Sequence, residues 1–181
     1  MSLVPGFGGY RIICSLGVGG MANVYLCRSK GIGGFEKLLV VKAPRPEVLG
    51  DVDSIDMFLN EARIAGRLNH PNVVQTNEVG LKDGVPFMAM EYLEGQPLSA
   101  IQRKIGLDKL STDLQLRVIA DALAGLHYAH ELKDYGGAPV GIVHRDISPQ
   151  NAKQAVESST NSFLNLRGGK LVTLPSNAYV G

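Results

Sequence analysis

The sequence predicts an α+β fold, strand-rich at 10–92 around one helical segment and helical again at 113–131. Three observations predict it. Residues 10–92 run mostly in short apolar stretches with strand character, divided by glycine and proline turns. Between Asp53 and Leu68 that pattern gives way to apolar residues at helical spacing. Helical spacing then returns at 113–131. A chain of 181 residues has room for one ordinary domain, or for one small lobe and part of another.

Taken in order, Tyr10-Arg11-Ile12-Ile13-Cys14-Ser15-Leu16 and Asn23-Val24-Tyr25-Leu26-Cys27 read as two strands joined by the glycine turn at 17–22. A looser turn, Gly31-Ile32-Gly33-Gly34, leads through Phe35 to a buried strand, Leu38-Leu39-Val40-Val41-Lys42, which Pro44 and Pro46 end. From Asp53, the residues Met57, Phe58, Glu61, Ile64, Ala65 and Leu68 fall on one helical face, and His70-Pro71-Asn72 stops the helix. Strands are expected at 73–79 and 85–92, around the turn Lys82-Asp83-Gly84. On the helix at 113–131, Leu116, Ile119, Ala122, Leu123, Leu126 and His130 share a face, and Gly136-Gly137-Ala138-Pro139 breaks the pattern. Beyond Asn151, small and polar residues without a sustained period predict loop or frayed strand.

Composition removes several function classes. With 18 basic against 17 acidic side chains the net charge is +1, so no bulk field draws the chain to nucleic acid or to an anionic membrane. Cys14 and Cys27 lie in apolar strands without metal-ligand spacing and read as reduced structural thiols. No apolar run approaches the roughly 18 residues of a membrane span, and the start Met-Ser-Leu-Val-Pro-Gly lacks the regions of a signal peptide. A soluble, cytoplasmic protein is expected.

The glycine turn Leu16-Gly17-Val18-Gly19-Gly20-Met21-Ala22-Asn23-Val24 lets backbone N–H groups close on phosphate oxygens, since residues without a β-carbon approach an anion and tolerate positive φ. It fits a ligand-free glycine hairpin as well. A dinucleotide-binding turn is excluded, because that motif needs a helix straight after the glycines and Val24-Tyr25-Leu26-Cys27 is extended. Lys42 ends an apolar run, where an ammonium either snorkels to solvent or meets an anion. Glu61 lies within the apolar stripe of its helix, either at the solvated edge or against a cation. Pairing the two satisfies both and aims the ammonium at nucleotide phosphates.

His144-Arg145-Asp146-Ile147-Ser148-Pro149-Gln150-Asn151 sets a carboxylate and a carboxamide five positions apart in a stretch too punctuated for a helix. Asp146 can accept a hydrogen bond from an attacking hydroxyl while the Asn151 side-chain oxygen reaches a divalent metal on a nucleotide triphosphate. His127 and His130, near a helix C-terminus, fit a packing or dipole role.

In this order the segments resemble the protein kinase superfamily, in particular the bacterial serine/threonine kinases similar to those of eukaryotes. Leu-Gly-Val-Gly-Gly-Met-Ala-Asn-Val-Tyr resembles the family's glycine-rich loop, with Ala22 where a third glycine is often found. Leu39-Val40-Val41-Lys42 resembles the strand of the phosphate-binding lysine, and Glu61 falls where the partner glutamate is expected. His70-Pro71-Asn72-Val73-Val74 and Met90-Glu91-Tyr92-Leu93-Glu94-Gly95 resemble the segment after that helix and the hinge. The resemblance implies a kinase-like fold with a complete N-terminal lobe and hinge at 10–95, a partial C-terminal lobe at 96–151, a short extension at 1–9 and an atypical tail at 152–181. It implies ATP in a cleft, held by residues 16–24, Lys42, the gatekeeper Met90 and the backbone of Glu91 and Leu93. It further implies Mg²⁺ on Asn151, catalysis by Asp146 with Lys42 and Glu61, support of the catalytic loop by His144, and a protein hydroxyl as acceptor.

The pattern also breaks. Ser148 stands where serine/threonine kinases commonly carry a lysine, so hydroxyl specificity is not legible in this loop. After Asp146 the sequence has no aspartate and only one glutamate, Glu157, so the family's metal-binding Asp-Phe-Gly is missing. Laying Lys170-Leu171-Val172-Thr173-Leu174-Pro175 over the strand that precedes it puts uncharged Thr173 at the aspartate position. With the activation segment and later helices also missing, the apolar face at 113–131 is expected to be open to association. Four readings follow: a truncated protein kinase domain, a pseudokinase-like nucleotide- or partner-binding module, a small-molecule phosphotransferase of the aminoglycoside kinase type, or a fragment whose tail is a frameshift product. The third fits His144, Asp146 and Asn151, but the hinge and the His-Pro-Asn segment argue against it.

Overall fold

The computed structural model describes residues 6–106, 110–144, 152–156 and 166–171, with Ile105 and the last two segments by backbone alone. The chain divides into two compact units: Met1–Arg67 with Gln75–Tyr92, and Leu68–Val74 with Leu93–Gly181.

The first unit is one antiparallel sheet with a helix. Strands β1 (Gly6–Phe7), β2 (Tyr10–Val18), β3 (Ala22–Lys30), β4 (Glu36–Pro44), β5 (Thr76–Lys82) and β6 (Val85–Glu91) lie in the order β1-β2-β3-β4-β6-β5. Side chains of a strand alternate between its two faces, so register decides which residues meet. Cys27 pairs with Leu39, and Tyr25 with Val41, which pairs in turn with Ala89. That face buries Cys27, Leu39, Val41, Ala43, Phe87 and Ala89, with Phe7, Tyr10, Ile12 and Tyr25 packed on them. The opposite parity aligns Val24, Lys42 and Met88 in one row and Leu26, Val40 and Met90 in the next. Burial lifts the Cys27 thiol pKa to about 11, and the neighbouring Cys14 adds to the shift.

The sheet curls, as twisted antiparallel sheets do. Tyr10 on β2 donates its hydroxyl to the Glu78 carboxylate on β5, at the far edge of the strand order, and its ring stands edge-on to Phe87 at 6.1 Å. Gly80 makes room for that packing, because a β-carbon there would come within 2.7 Å of the Phe87 ring. The β5–β6 turn places Asp83 and Gly84 at φ 51° and 79°, the paired positive angles of a tight type I′ hairpin. Gly6–Phe7, within the expected N-terminal extension, is one edge strand, and the strand expected at 73–79 begins at Thr76.

Helix α1 (Val52–Ala65) follows Asp51, whose carboxylate accepts the Ser54 hydroxyl. It buries Phe58, Glu61, Ala62 and Ile64, which stand three and four apart as an inward face requires. Glu61 is the one charged member of that set.

The second unit holds β7 (Gly95–Pro97), helix α2 (Leu98–Ile105), helix α3 (Thr112–His130), β8 (Ala152–Val156) and β9 (Leu166–Leu171). The three strands form an antiparallel sheet in the order β7-β8-β9. Of the loop or frayed strand expected beyond Asn151, these two segments take the strand form, because cross-strand pairing supplies what the weak local pattern lacks. The described β9 ends at Leu171, so Thr173 lies outside the described residues. Helix α2 was not foreseen, although Leu98, Ile101, Gln102 and Ile105 carry helical spacing.

Helix α3 starts at Ser111, whose hydroxyl accepts the Leu114 N–H at 3.3 Å. It has two apolar faces. Val118, Gly125 and Ala129 are buried together with Asp121, while Leu116, Ile119 and Leu123 stand exposed. The His-Pro-Asn segment seats on the buried side: His70 stacks on Tyr128 at 5.1 Å, and a β-carbon on Gly125 would approach the Asn72 carbonyl to 3.1 Å.

Candidate functional site

The β2–β3 hairpin is bent by two irregularities in pairing, between Ile12 and Cys14 and between Ser15 and Gly17. Bulges of this kind turn a strand and re-aim its side chains. Beyond them the tip closes on itself, with the Gly19 N–H donating to the Ala22 carbonyl at 2.9 Å. Leu16 and Val18 are exposed on this flap, whereas Ala22 is buried.

Val24, at the base of the flap, pairs with Lys42 on β4. The Lys42 Nζ donates to both oxygens of Glu61 on α1, at 2.6 and 2.7 Å. Their side chains are 10% and 2% exposed, so the pair is nearly dry. Burial pushes the Glu61 carboxyl above its usual value, and Lys42 offsets that only in part. Two alternatives are thereby decided, since Lys42 does not snorkel and Glu61 is not at a solvated edge.

Met90 is buried and pairs with Val40. The Glu91 N–H donates to the Gln75 carbonyl at 2.9 Å while the Glu91 carboxylate accepts the Gln75 N–H at 2.8 Å, which fixes the end of β6. Leu93 belongs to the second unit. His144 is buried, and Asp146 and Asn151 lie outside the described residues. The structure therefore brings together the flap, Lys42, Glu61, Met90 and Glu91 in one unit. Sequence reading passed over Arg45, whose N–H and side chain both reach the flap; the flanking prolines are the signal that it is held in place. Among the described residues no cluster of three or more His, Cys, Asp or Glu is placed to hold a metal, and no helix is long and apolar enough to cross a membrane.

A curled antiparallel sheet with a glycine hairpin, and a strand lysine ion-paired to a helix glutamate, has the protein-kinase-like architecture, and the solved structures agree. The kinase domain of Mycobacterium tuberculosis PknI superposes with a TM-score of 0.70 at 24% identity, over 96% of this chain and 62% of that one. The protein kinase domain profile matches residues 10–153, and the chain belongs to that family. Relatives include the tyrosine-protein kinase MasK of Myxococcus xanthus, 41% identical over 151 residues, which are 82% of this chain and 23% of that protein. The serine/threonine-protein kinase PknI of Mycobacterium tuberculosis is 30% identical over 182 residues, 97% of this chain and 28% of that protein. The chain thus spans about a quarter of the length of these curated relatives.

Proposed function

We propose that the chain binds ATP on the first unit and serves as the nucleotide-binding part of a protein serine/threonine kinase. The observation that carries this is the dry, two-pronged Lys42–Glu61 pair beneath a glycine hairpin. Taking both charges out of water is costly, and a well-packed apolar pair would be at least as stable. An ammonium held in place by a carboxylate is useful where it meets an anion, and the flap N–H groups serve the same anion. Val24, Val40 and Met90 share the face of Lys42 and supply an apolar wall for a purine. With its N–H committed to Gln75, Glu91 would offer its carbonyl to the base edge.

Asp146 would orient the acceptor hydroxyl and take its proton late, since a carboxylate is too weak a base to ionise an alcohol beforehand. Mg²⁺ fits less well. Asn151 would be one ligand, and residues 152–181 hold no aspartate to be the other. That same gap favours a second reading, a pseudokinase-like module that binds nucleotide or a partner without transfer. Acceptor specificity is open to both hydroxyl types: Ser148 replaces the usual lysine, and MasK is named a tyrosine kinase. The exposed stripe Leu116, Ile119 and Leu123 is the surface that supports association, and a cytoplasmic location is in keeping with the two reduced thiols.

Titrating ATP into the wild type and Lys42→Ala tests the reading. Loss of a charge-assisted contact should weaken binding by roughly tenfold or more. Equal affinities would remove Lys42 from the phosphate site. Incubation with ATP, Mg²⁺ and a generic protein substrate, followed by phosphoamino-acid analysis, separates kinase from pseudokinase and serine or threonine from tyrosine.

A further inference from the structure

Arg45 stands between Pro44 and Pro46 with φ −70° and ψ 148°. A residue that precedes proline is driven to extended backbone, so this arginine is fixed before it makes any contact. The β3–β4 ladder ends with Ala22 opposite Pro44, which leaves Arg45 alongside the flap. Its N–H donates to the Met21 carbonyl at 2.9 Å, and its Nη1 reaches the Gly19 carbonyl at 3.4 Å. Its Nε donates to the Glu47 carboxylate at 3.1 Å, which orients the guanidinium. In a trans peptide the C=O and N–H point opposite ways. Holding the Gly19 and Met21 carbonyls toward Arg45 therefore turns the N–H groups of Gly20 and Ala22 away from it.

We propose that Arg45 is a positioning residue that latches the glycine flap and presets those two N–H groups for the phosphates of the nucleotide. The proposal rests on the nucleotide reading above. A flap carrying Gly17, Gly19 and Gly20 has much conformational freedom to lose on binding, and a latch removes part of that loss beforehand.

The test uses the full chain, its Arg45→Met and Arg45→Lys variants, and ATP and adenosine as separate probes. Arg45→Met should weaken ATP about fivefold and leave adenosine unchanged, with Arg45→Lys between. In the nucleotide-free protein, hydrogen exchange should be quicker in Arg45→Met than in the wild type at the amides of Gly19 and of position 45. Equal ATP affinity in wild type and Arg45→Met, an equal loss for adenosine, or unchanged exchange would each overturn the latch. A wild type that binds neither probe removes the nucleotide reading, and the exchange comparison then decides the latch by itself.

Discussion

Lys42 and Glu61 meet through both carboxylate oxygens, at 2.6 and 2.7 Å, although they come from a strand and a helix 19 positions apart. Deleting one partner strands a nearly dry charge, so Lys42→Met alone or Glu61→Leu alone should cost about 3–5 kcal/mol of stability. The double variant should lose far less than the sum, because it removes both desolvation costs together. Urea unfolding of the four proteins measures this, and additive losses would mean that the two charges are solvated independently.

Acidification should separate binding from stability. Burial raises the Glu61 pKa, so the folded state holds that proton more tightly than the unfolded state. The contribution of Glu61 to stability is therefore fully present below its unfolded pKa of about 4.3, and is lost as pH rises through the higher folded value. Protonation also frees Lys42, so ATP affinity should fall as pH drops through that same value. Glu61→Gln should lack both effects. Binding that weakens only at the ordinary carboxylate pKa, in wild type and variant alike, would contradict this.

How much of this was legible in the sequence follows from where the information is local. The Asp83-Gly84 turn, the β4 strand and the Lys42–Glu61 pair could be read, because each is written in adjacent residues or in one polar residue on an apolar stripe. Helix α2 was missed despite its spacing, since eight residues give barely two turns of pattern. The β8–β9 pairing was missed because a strand whose alternation is weak depends on its partner for definition. The second apolar face of α3 was hidden by Asp121 and Gly125, which look like surface residues until Arg117 pairs with one at 3.0 Å and Asn72 lies against the other. Arg45 drew no notice because its contacts are to backbone carbonyls, which carry no signature in side-chain identity.

The curl of the sheet joins β2 to β5 through Tyr10 and Glu78. The Tyr10 hydroxyl is pushed up to about 12, first by its bond to Glu78, then by burial, then by the carboxylate's charge. Its neutral form is thus favoured in the folded state, so the stabilisation is complete below the ordinary tyrosine value of about 10 and is lost as pH rises through about 12. Tyr10 should titrate late in an alkaline absorbance titration and return toward the ordinary value in Glu78→Gln. Tyr10→Phe keeps the ring against Phe87 and removes only the hydroxyl, so the expected loss is about 1 kcal/mol, the lower range for a partly exposed bond to a charged group. An unchanged stability together with an unchanged titration would leave the aromatic packing of Phe7, Tyr10 and Phe87 as what holds the curl, because the polar tie would then contribute nothing that water does not.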